Sequence, residues 1–551
     1  MTPWHGYPVA AMRREALRGN RVVTCFVERP RSFHALFARA VATRPDHEAV
    51  VCEGRRWTWR EADAQVARIA AGFAGLGIGR GDRVAMLIGN RPEFVFVLFA
   101  LQRLGAIAVP VGVREQRPGL AWMLMQCGAC ALVFDAGLAE RAPDATDVPS
   151  LRWRIAIGEA DEGPDASTTI GATHALHRLT PAEAGAHGVV ALDEQDTAVI
   201  LYTSGTTGHP KGAMLTHLNI AHSVLHFEAG MRLVPEDRGA LAVPASHVTG
   251  LIATIASMVH VGGTIVVMPE FKAANFIALI ERERITHTLM VPAMYKLCLL
   301  SPDFAQRDLA TWRIGGYGGA PMPLATIDAL ARQLPNLVLV NAYGATETTS
   351  PVTMMPAGDA RAHADTVGVA LPCAEVVVMD ERGREVPPGE SGELWIGGPM
   401  VVPGYWANEA ATAASFTAGL WHSGDLGSVD AEGHVRLFDR QKDMLNRGGF
   451  KIYSVEVENA LMGHAGVVEA AIVARACPVL GERVHAFIHA PGIAHDDAAV
   501  RAHCARLLAD YKVPETITWT DDPLPRNANG KVLKRLLRET LASAPTDKTP
   551  A

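Results

Sequence analysis

From Ser32 onward the chain alternates between two hydrophobic periods. SFHALFARAVATRPDHEAVV spaces apolar side chains three and four residues apart and then runs into β-branched ones, which predicts a helix followed by a strand. WTWREADAQVARIAAGFAGLGI predicts a strand end and a long amphipathic helix stopped by Gly79 and Gly81. RVAMLIGN, PEFVFVLFALQRLG, AIAVPV and ACALVFD continue the alternation. Strands separated by helices of this length argue for mostly parallel sheets with crossover helices. Residues 1 to about 30 have no clear period and read as a loose lead-in, and residues 138–190, rich in Ala, Asp, Gly and Pro, read as surface excursions.

Two strongly apolar stretches, 95–113 and 249–268, resemble membrane spans on hydropathy alone. Gln102, Arg103 and Pro110 interrupt the first, and His260 with Gly262-Gly263 the second. Each is predicted to be a buried helix running into a buried strand. From Val376 the pattern changes to short strands and close-set Gly and Pro, a β-rich subdomain with Asp430-Ala431-Glu432-Gly433 as a hairpin turn. A final unit alternates a helix from Ser454, the strands VVEAAIVA and ERVHAFIH, a helix from Asp496 and a strand near TITWT. The predicted class is α/β: a large N-terminal domain of mostly parallel sheets with crossover helices plus a β-rich subdomain, and a small mobile α+β C-terminal domain.

A length of 551 residues calls for two or more domains, and 49% hydrophobic with 20% charged residues describes a well-packed enzyme. A net charge of −7 with no basic run gives no case for nucleic acid. No apolar core follows a basic start at the N-terminus, and the eight cysteines are scattered, so packing thiols and a cytoplasmic location are expected.

The chemistry concentrates in residues 201–217, LYTSGTTGHPKGAMLTH. Thr203, Ser204, Thr206 and Thr207, with Gly205, Gly208, Gly212 and Lys211, follow a short apolar strand. Such a loop suits polyphosphate: glycines let the backbone approach oxyanions, amides and hydroxyls donate to them, and one ammonium adds charge. The spacing excludes a Walker A loop, because Lys211 lies three residues beyond Gly208 rather than directly after it. The stretch closely resembles the signature of the acyl-adenylate-forming superfamily, in which acyl-CoA synthetases, nonribosomal adenylation domains and firefly luciferase are grouped.

The resemblance extends through four further motifs. It implies that Gly319, Ala320 and Pro321, beside Asn341, Ala342, Tyr343 and Gly344, form the adenine site, with Tyr343 stacking on the ring. Thr346 would contact phosphate, and Glu347 would bind magnesium together with the Thr203 hydroxyl of the loop. Asp425 and Arg440 match the ribose contacts. His247 borders the acyl pocket, whose wall is assigned to His247, Thr249, Met294, Tyr317, Gly318 and Ser350. Lys442 is the hinge between an N-terminal AMP-binding domain, residues 1–440, and a mobile C-terminal domain, 441–551. Arg447, Gly448 and Gly449 would line the coenzyme A tunnel, and Lys531 of PRNANGK would enter the active site during adenylation. Asn446 stands where some plant relatives carry Lys.

The implied enzyme is an AMP-forming acid:CoA ligase, with Lys531, Lys211, Glu347 and His247 as its catalytic set. It would use ATP, magnesium and coenzyme A on a medium- or long-chain fatty acid or an aryl acid, as a monomer or homodimer. No covalent protein nucleophile is required, in keeping with the lack of a G-x-S-x-G elbow. Two alternatives stay open at this level: a ligase that loads a carrier-protein thiol, and a non-catalytic nucleotide-binding relative. The first is disfavoured because no carrier domain follows Lys531, the second because every charged residue the chemistry needs is present.

Overall fold

The computed structural model describes residues 4–18, 21–158, 172–180, 189–203, 209–492, 494–526 and 532–543. Among these, seven strands form a first sheet in the order Lys211–Thr216, Thr197–Thr203, Ile107–Pro110, Arg83–Leu87, Ala131–Asp135, Trp153–Ile157, His174–Ala175. Every neighbouring pair is parallel except the first, whose two strands flank residues 204–210. A second sheet of nine strands has a parallel centre, including Arg238–Leu241, His287–Met290, Ile314–Tyr317 and Val338–Tyr343, and antiparallel edges.

The largest core lies between these sheets. Phe33 and Phe37 of helix Phe33–Thr43, Phe73 of helix Trp59–Gly75 and Phe99 of helix Pro92–Leu104 pack against Met86 of the first sheet and Val50 and Ile265 of the second. A capping box between Thr58 and Glu61 starts the second of these helices where the sequence pattern begins. The helix in the 95–113 stretch has 13 residues and leads into a four-residue buried strand. Among the described residues no helix is long and apolar enough to cross a membrane.

The β-rich part is an antiparallel sheet built on Glu375–Met379, Gly392–Gly397, Leu420–Val429 and Val435–Arg440, with the hairpin turn at Asp430–Gly433 as expected. The last sheet joins Leu445–Arg447, Phe450–Ile452, Glu469–Cys477, Gly481–His489 and Thr516–Thr520, with its own core around Leu445, Val457, Ile472 and Val484. All eight cysteines are unpaired and seven are buried.

Two segments differ from the sequence expectation. Residues 12–26 are a hairpin, Met12–Leu17 paired with Arg21–Phe26, rather than a loose lead-in. Its anchor is Arg29, whose wholly buried guanidinium bonds Glu15 at 2.7 Å and Glu194 at 2.5 Å. Within 138–190, Trp153–Ile157 is an inner strand of the first sheet, not a surface excursion.

Candidate active site

The parallel strands Ile314–Tyr317 and Val338–Tyr343 run in register, Tyr317 opposite Asn341, and end together. A side chain at Gly318 would place its Cβ 2.4 Å from the Ala342 carbonyl oxygen, so only glycine lets the chain turn here. Gly319, with φ +76°, Ala320 and Pro321 then form an exposed backbone ledge against which a flat ring can lie. Ala342 and Asn341 are buried beneath it, Asn341 through an amide bond to the Thr366 carbonyl.

Tyr343 extends from the strand end, and its hydroxyl donates to Asp425 Oδ2 at 2.7 Å. Asp425 Oδ1 in turn receives Arg440 Nε at 2.6 Å, across a strand pair that sets the two residues opposite each other. This phenol–carboxylate–guanidinium chain ties the β-rich sheet to the edge of the second sheet. Burial and the adjoining Asp425 carboxylate push the Tyr343 hydroxyl far above its ordinary pKa, so it remains a donor.

Past Gly344 the chain makes a single turn, Thr346–Thr348, that sinks Glu347 to 8% exposure. Burial raises the Glu347 pKa, opposed by its own backbone amide, the Tyr405 hydroxyl, Arg440 and Lys211. The hydroxyl of Tyr405 donates to Glu347 Oε1 at 2.9 Å, and Lys211 Nζ lies 4.9 Å above the centre of the Tyr405 ring. Lys211 itself sits opposite Thr203 where the hairpin opens, and the Thr203 hydroxyl donates to the Lys211 carbonyl at 3.4 Å. Ser204, Gly205, Thr206, Thr207 and Gly208 lie outside the described residues, as does Lys531.

The proposed acyl wall is spread over separate elements. His247 precedes the buried π-helical turn Thr249–Ala256, a geometry that recurs at functional sites. Its Nδ1 accepts from the Thr249 amide at 3.3 Å and lies 3.1 Å from the Thr249 hydroxyl, which leaves the ring proton on Nε2. Desolvation holds its pKa near 4, so the imidazole is neutral at pH 7. Met294 is half-buried on helix Pro292–Leu300, whereas Tyr317 is 1% exposed among Met290, Tyr295 and Met322 in the core beneath the second sheet. Ser350 shares the turn after Glu347, where Ser223 bonds its carbonyl and that of Thr349. Direct bonds therefore unite Tyr343, Asp425 and Arg440, and Glu347 with Tyr405, while the acyl set is distributed.

Lys442 lies between the last strand of the β-rich sheet and the last sheet, and burial lowers its pKa. Gly448 and Gly449, both at positive φ, make the two-residue turn between Leu445–Arg447 and Phe450–Ile452. Arg447 is engaged with Glu515 at 2.7 Å. Across the segment 441–444, Asp439 receives the Ser454 amide and hydroxyl, and Lys534 binds both Ser454 Oγ at 2.6 Å and Glu458 at 2.7 Å.

Sequence reasoning missed three positioning groups. Asn90 bonds the carbonyls of Leu241, Val243 and Met268 and the amide of Ala245, stitching the ends of the two large sheets beside His247. Gln126 accepts from Tyr202 at 2.5 Å and donates to the Trp406 carbonyl at 2.7 Å. Tyr405 had only its place in a GYW triplet as a signal. Together the groups bring an exposed backbone ledge, two buried carboxylates, a guanidinium and an ammonium to the meeting of three sheets.

Comparison with known proteins identifies the family. Residues 37–406 match the AMP-binding enzyme family, and residues 456–531 match the AMP-binding enzyme C-terminal domain. A feruloyl-CoA synthase from an Amycolatopsis species is 34% identical over 502 residues, 91% of this chain and 97% of that protein. A long-chain-fatty-acid–CoA ligase of Mycobacterium tuberculosis is 33% identical over 484 residues, 88% of this chain and 93% of its own length. The crystal structure of an anthranilate CoA ligase with anthranoyl-AMP superposes with a TM-score of 0.84 at 25% identity, covering 93% of this chain and 97% of the other. The chain belongs to the AMP-binding enzyme family, and it is an adenylate-forming acid:CoA ligase.

Proposed function

We propose that this ligase activates a fatty or aryl carboxylic acid on the ledge formed by Gly319, Ala320 and Pro321 and passes the acyl group to coenzyme A after its C-terminal domain, 441–551, turns about Lys442 against residues 1–440. The observation that supports the reading is the convergence of the Tyr343–Asp425–Arg440 chain and the Glu347–Tyr405–Lys211 group where three sheets meet. Asp425 accepts ribose hydroxyls, each of which is a donor. Lys211, Thr203 and the amide- and hydroxyl-rich turn 204–208 hold the triphosphate.

Glu347 fits a hard divalent cation. It is a buried carboxylate that accepts from the Tyr405 hydroxyl on Oε1 and from its own backbone amide, and no Lys or Arg among the described residues pairs with it directly. A single buried carboxylate is in keeping with magnesium, an ion usually held by one or two carboxylates, water and substrate phosphates. When bound, magnesium neutralises charge on the phosphate oxygens.

In the first step a carboxylate oxygen of the acid bonds to the α-phosphorus while the bond to the bridging oxygen breaks, and pyrophosphate takes that electron pair. Lys211, and Lys531 from the C-terminal domain, stabilise the charge that develops; positioning and electrostatics carry the catalysis. His247, neutral and anchored to Thr249, borders the acid without competing for its charge. In the second step the thiolate sulfur of coenzyme A, guided past Gly448 and Gly449, adds to the acyl carbonyl, and AMP departs with the electrons of the anhydride bond. Domain rotation lets one cleft serve both steps.

Pyrophosphate release measured over a panel of straight-chain, branched and hydroxycinnamic or aminobenzoic acids, with and without coenzyme A, tests the reading. Release of AMP with acid-dependent thioester formation supports it. Conversion of ATP to ADP, indifference to every acid, or a thioester formed only on a phosphopantetheinylated carrier protein overturns it.

A further inference from the structure

The Gly404-Tyr405-Trp406 triplet touches no substrate in the steps above, yet it is held by hydrogen bonds on several sides. The Gly404 carbonyl accepts from the Met214 amide at 3.1 Å, the Trp406 amide donates to Gly212 at 2.7 Å, and the Tyr405 amide donates to Thr412 Oγ1 at 3.0 Å. The segment thus runs as an extra strand along Lys211–Thr216, with Tyr405 opposite Ala213. Gln126 fixes the Trp406 carbonyl from the opposite side. The edge of the Phe416 ring, 5.9 Å away, closes the pocket around a Tyr405 side chain that is 5% exposed.

Such a rigid mounting gives the phenol two contacts of opposite electrostatic sense. Its hydroxyl donates to the Glu347 carboxylate, and its electron-rich face receives the Lys211 ammonium. Glu347 and Lys211 attract each other, yet they form no ion pair among the described residues: the ammonium lies over the face of the Tyr405 ring and the carboxylate at its hydroxyl. A direct lysine–carboxylate pair would neutralise both groups and withdraw them from a substrate that needs each separately.

We propose that Tyr405 is a positioning residue that keeps Lys211 and Glu347 apart: the hydroxyl fixes one carboxylate oxygen, and the ring holds the ammonium over its face. The inference rests on the reading that these two groups meet magnesium and triphosphate. Tyrosine satisfies both tasks, phenylalanine only the second, and leucine neither.

Calorimetric binding of ATP across a magnesium series, and of AMP without magnesium, tests it in the full-length protein without any acid present. Tyr405→Phe is expected to raise the magnesium concentration for half-maximal ATP binding about three- to tenfold, the scale of one hydrogen bond to a charged group, with the AMP dissociation constant unchanged within about twofold. Tyr405→Leu should lose about a further fivefold in ATP affinity as Lys211 collapses onto Glu347. Tyr405→Phe placed on Glu347→Gln should cost nothing more. Parent-like ATP binding in both Tyr405 variants overturns the proposal, as does equal loss of AMP and ATP binding. Should Tyr405→Leu fail to fold, Tyr405→Phe alone decides. Lys211→Ala and Glu347→Gln separate the two levels: if they weaken magnesium-dependent ATP binding and the Tyr405 variants do not, only the Tyr405 inference fails, and if they too bind normally, the assignment of Lys211 and Glu347 fails with it.

Discussion

Four histidines of the N-terminal domain are held neutral by burial, and lowering the pH from 7 to 5 should cost the fold most of its stability. His34, His217 and His226 have pKa values depressed to about 4 and His222 to about 3, in each case chiefly by desolvation. All four are at most 3% exposed. Asp193 and Asp196 favour the charged form of His217 but do not offset its burial. The hydrogen bonds require neutral rings: His217 Nδ1 accepts the Phe33 amide at 3.0 Å, and His222 Nε2 accepts the Phe26 amide at 3.1 Å while its Nδ1 meets the Leu218 carbonyl at 2.9 Å. A proton on His222 Nε2 would face an N–H donor. Because the folded values lie below the unfolded 6.5, the unfolded chain binds protons first, so stability present above pH 6.5 falls as the pH drops toward 4. At pH 5 each group costs about 2 kcal/mol by linkage, about 8 kcal/mol for the four, against a typical total of about 5–15 kcal/mol. Urea unfolding followed by tryptophan fluorescence at pH 7, 6 and 5 measures the loss, and His222→Gln should reduce it by about 2 kcal/mol. A total change below about 2 kcal/mol, or an unaltered slope in the variant, would refute the reasoning.

The remaining expectations concern the cleft. Lys531→Ala should abolish acid-dependent pyrophosphate release while thioester formation from supplied acyl-AMP continues, and equal loss of both steps counts against its role. Asp425→Ala removes the acceptor shared by Tyr343 and Arg440 and should weaken AMP and ATP binding alike by at least about tenfold, read by calorimetry; loss for ATP alone would remove Asp425 from the ribose site. Gly318→Ala drives a methyl group into the Ala342 carbonyl and should destabilise the protein by about 1–3 kcal/mol with AMP binding lost together, whereas a parent-like thermal midpoint would show that the ledge can relax.

Residues whose chemistry is local were legible in the sequence. Gly318 announces a strand end with no room for a side chain, Gly319 a positive φ, and Asp430 to Gly433 a hairpin, because the backbone requirement falls on the residues themselves. Features that depend on a distant partner were not. The strand Met12–Leu17 is exposed at most positions and so shows no alternation, and what fixes its hairpin is a buried ion pair from Arg29 to Glu194, 165 positions later. Trp153–Ile157 was lost in a polar, Gly- and Pro-rich stretch because only five residues of it are strand.

Tyr405 shows why a cleft assembled this way resists reading from one dimension. Thr203 and Lys211 belong to the edge of the first sheet, Tyr343 and Glu347 to the end of the second, and Asp425 and Arg440 to the third. Each motif is recognisable alone, since open α/β sheets gather ligand groups beyond their strand ends. The charges they bring together are nevertheless mutually attractive, and left to themselves Lys211 and Glu347 would pair. Specifying where two charges meet substrate therefore also requires something that prevents them from meeting each other, and a buried aromatic ring with one hydroxyl does so without adding a third charge. That requirement arises only when the sheets converge, so it leaves no periodicity and no spacing, only an aromatic residue in an otherwise ordinary Gly-Tyr-Trp triplet.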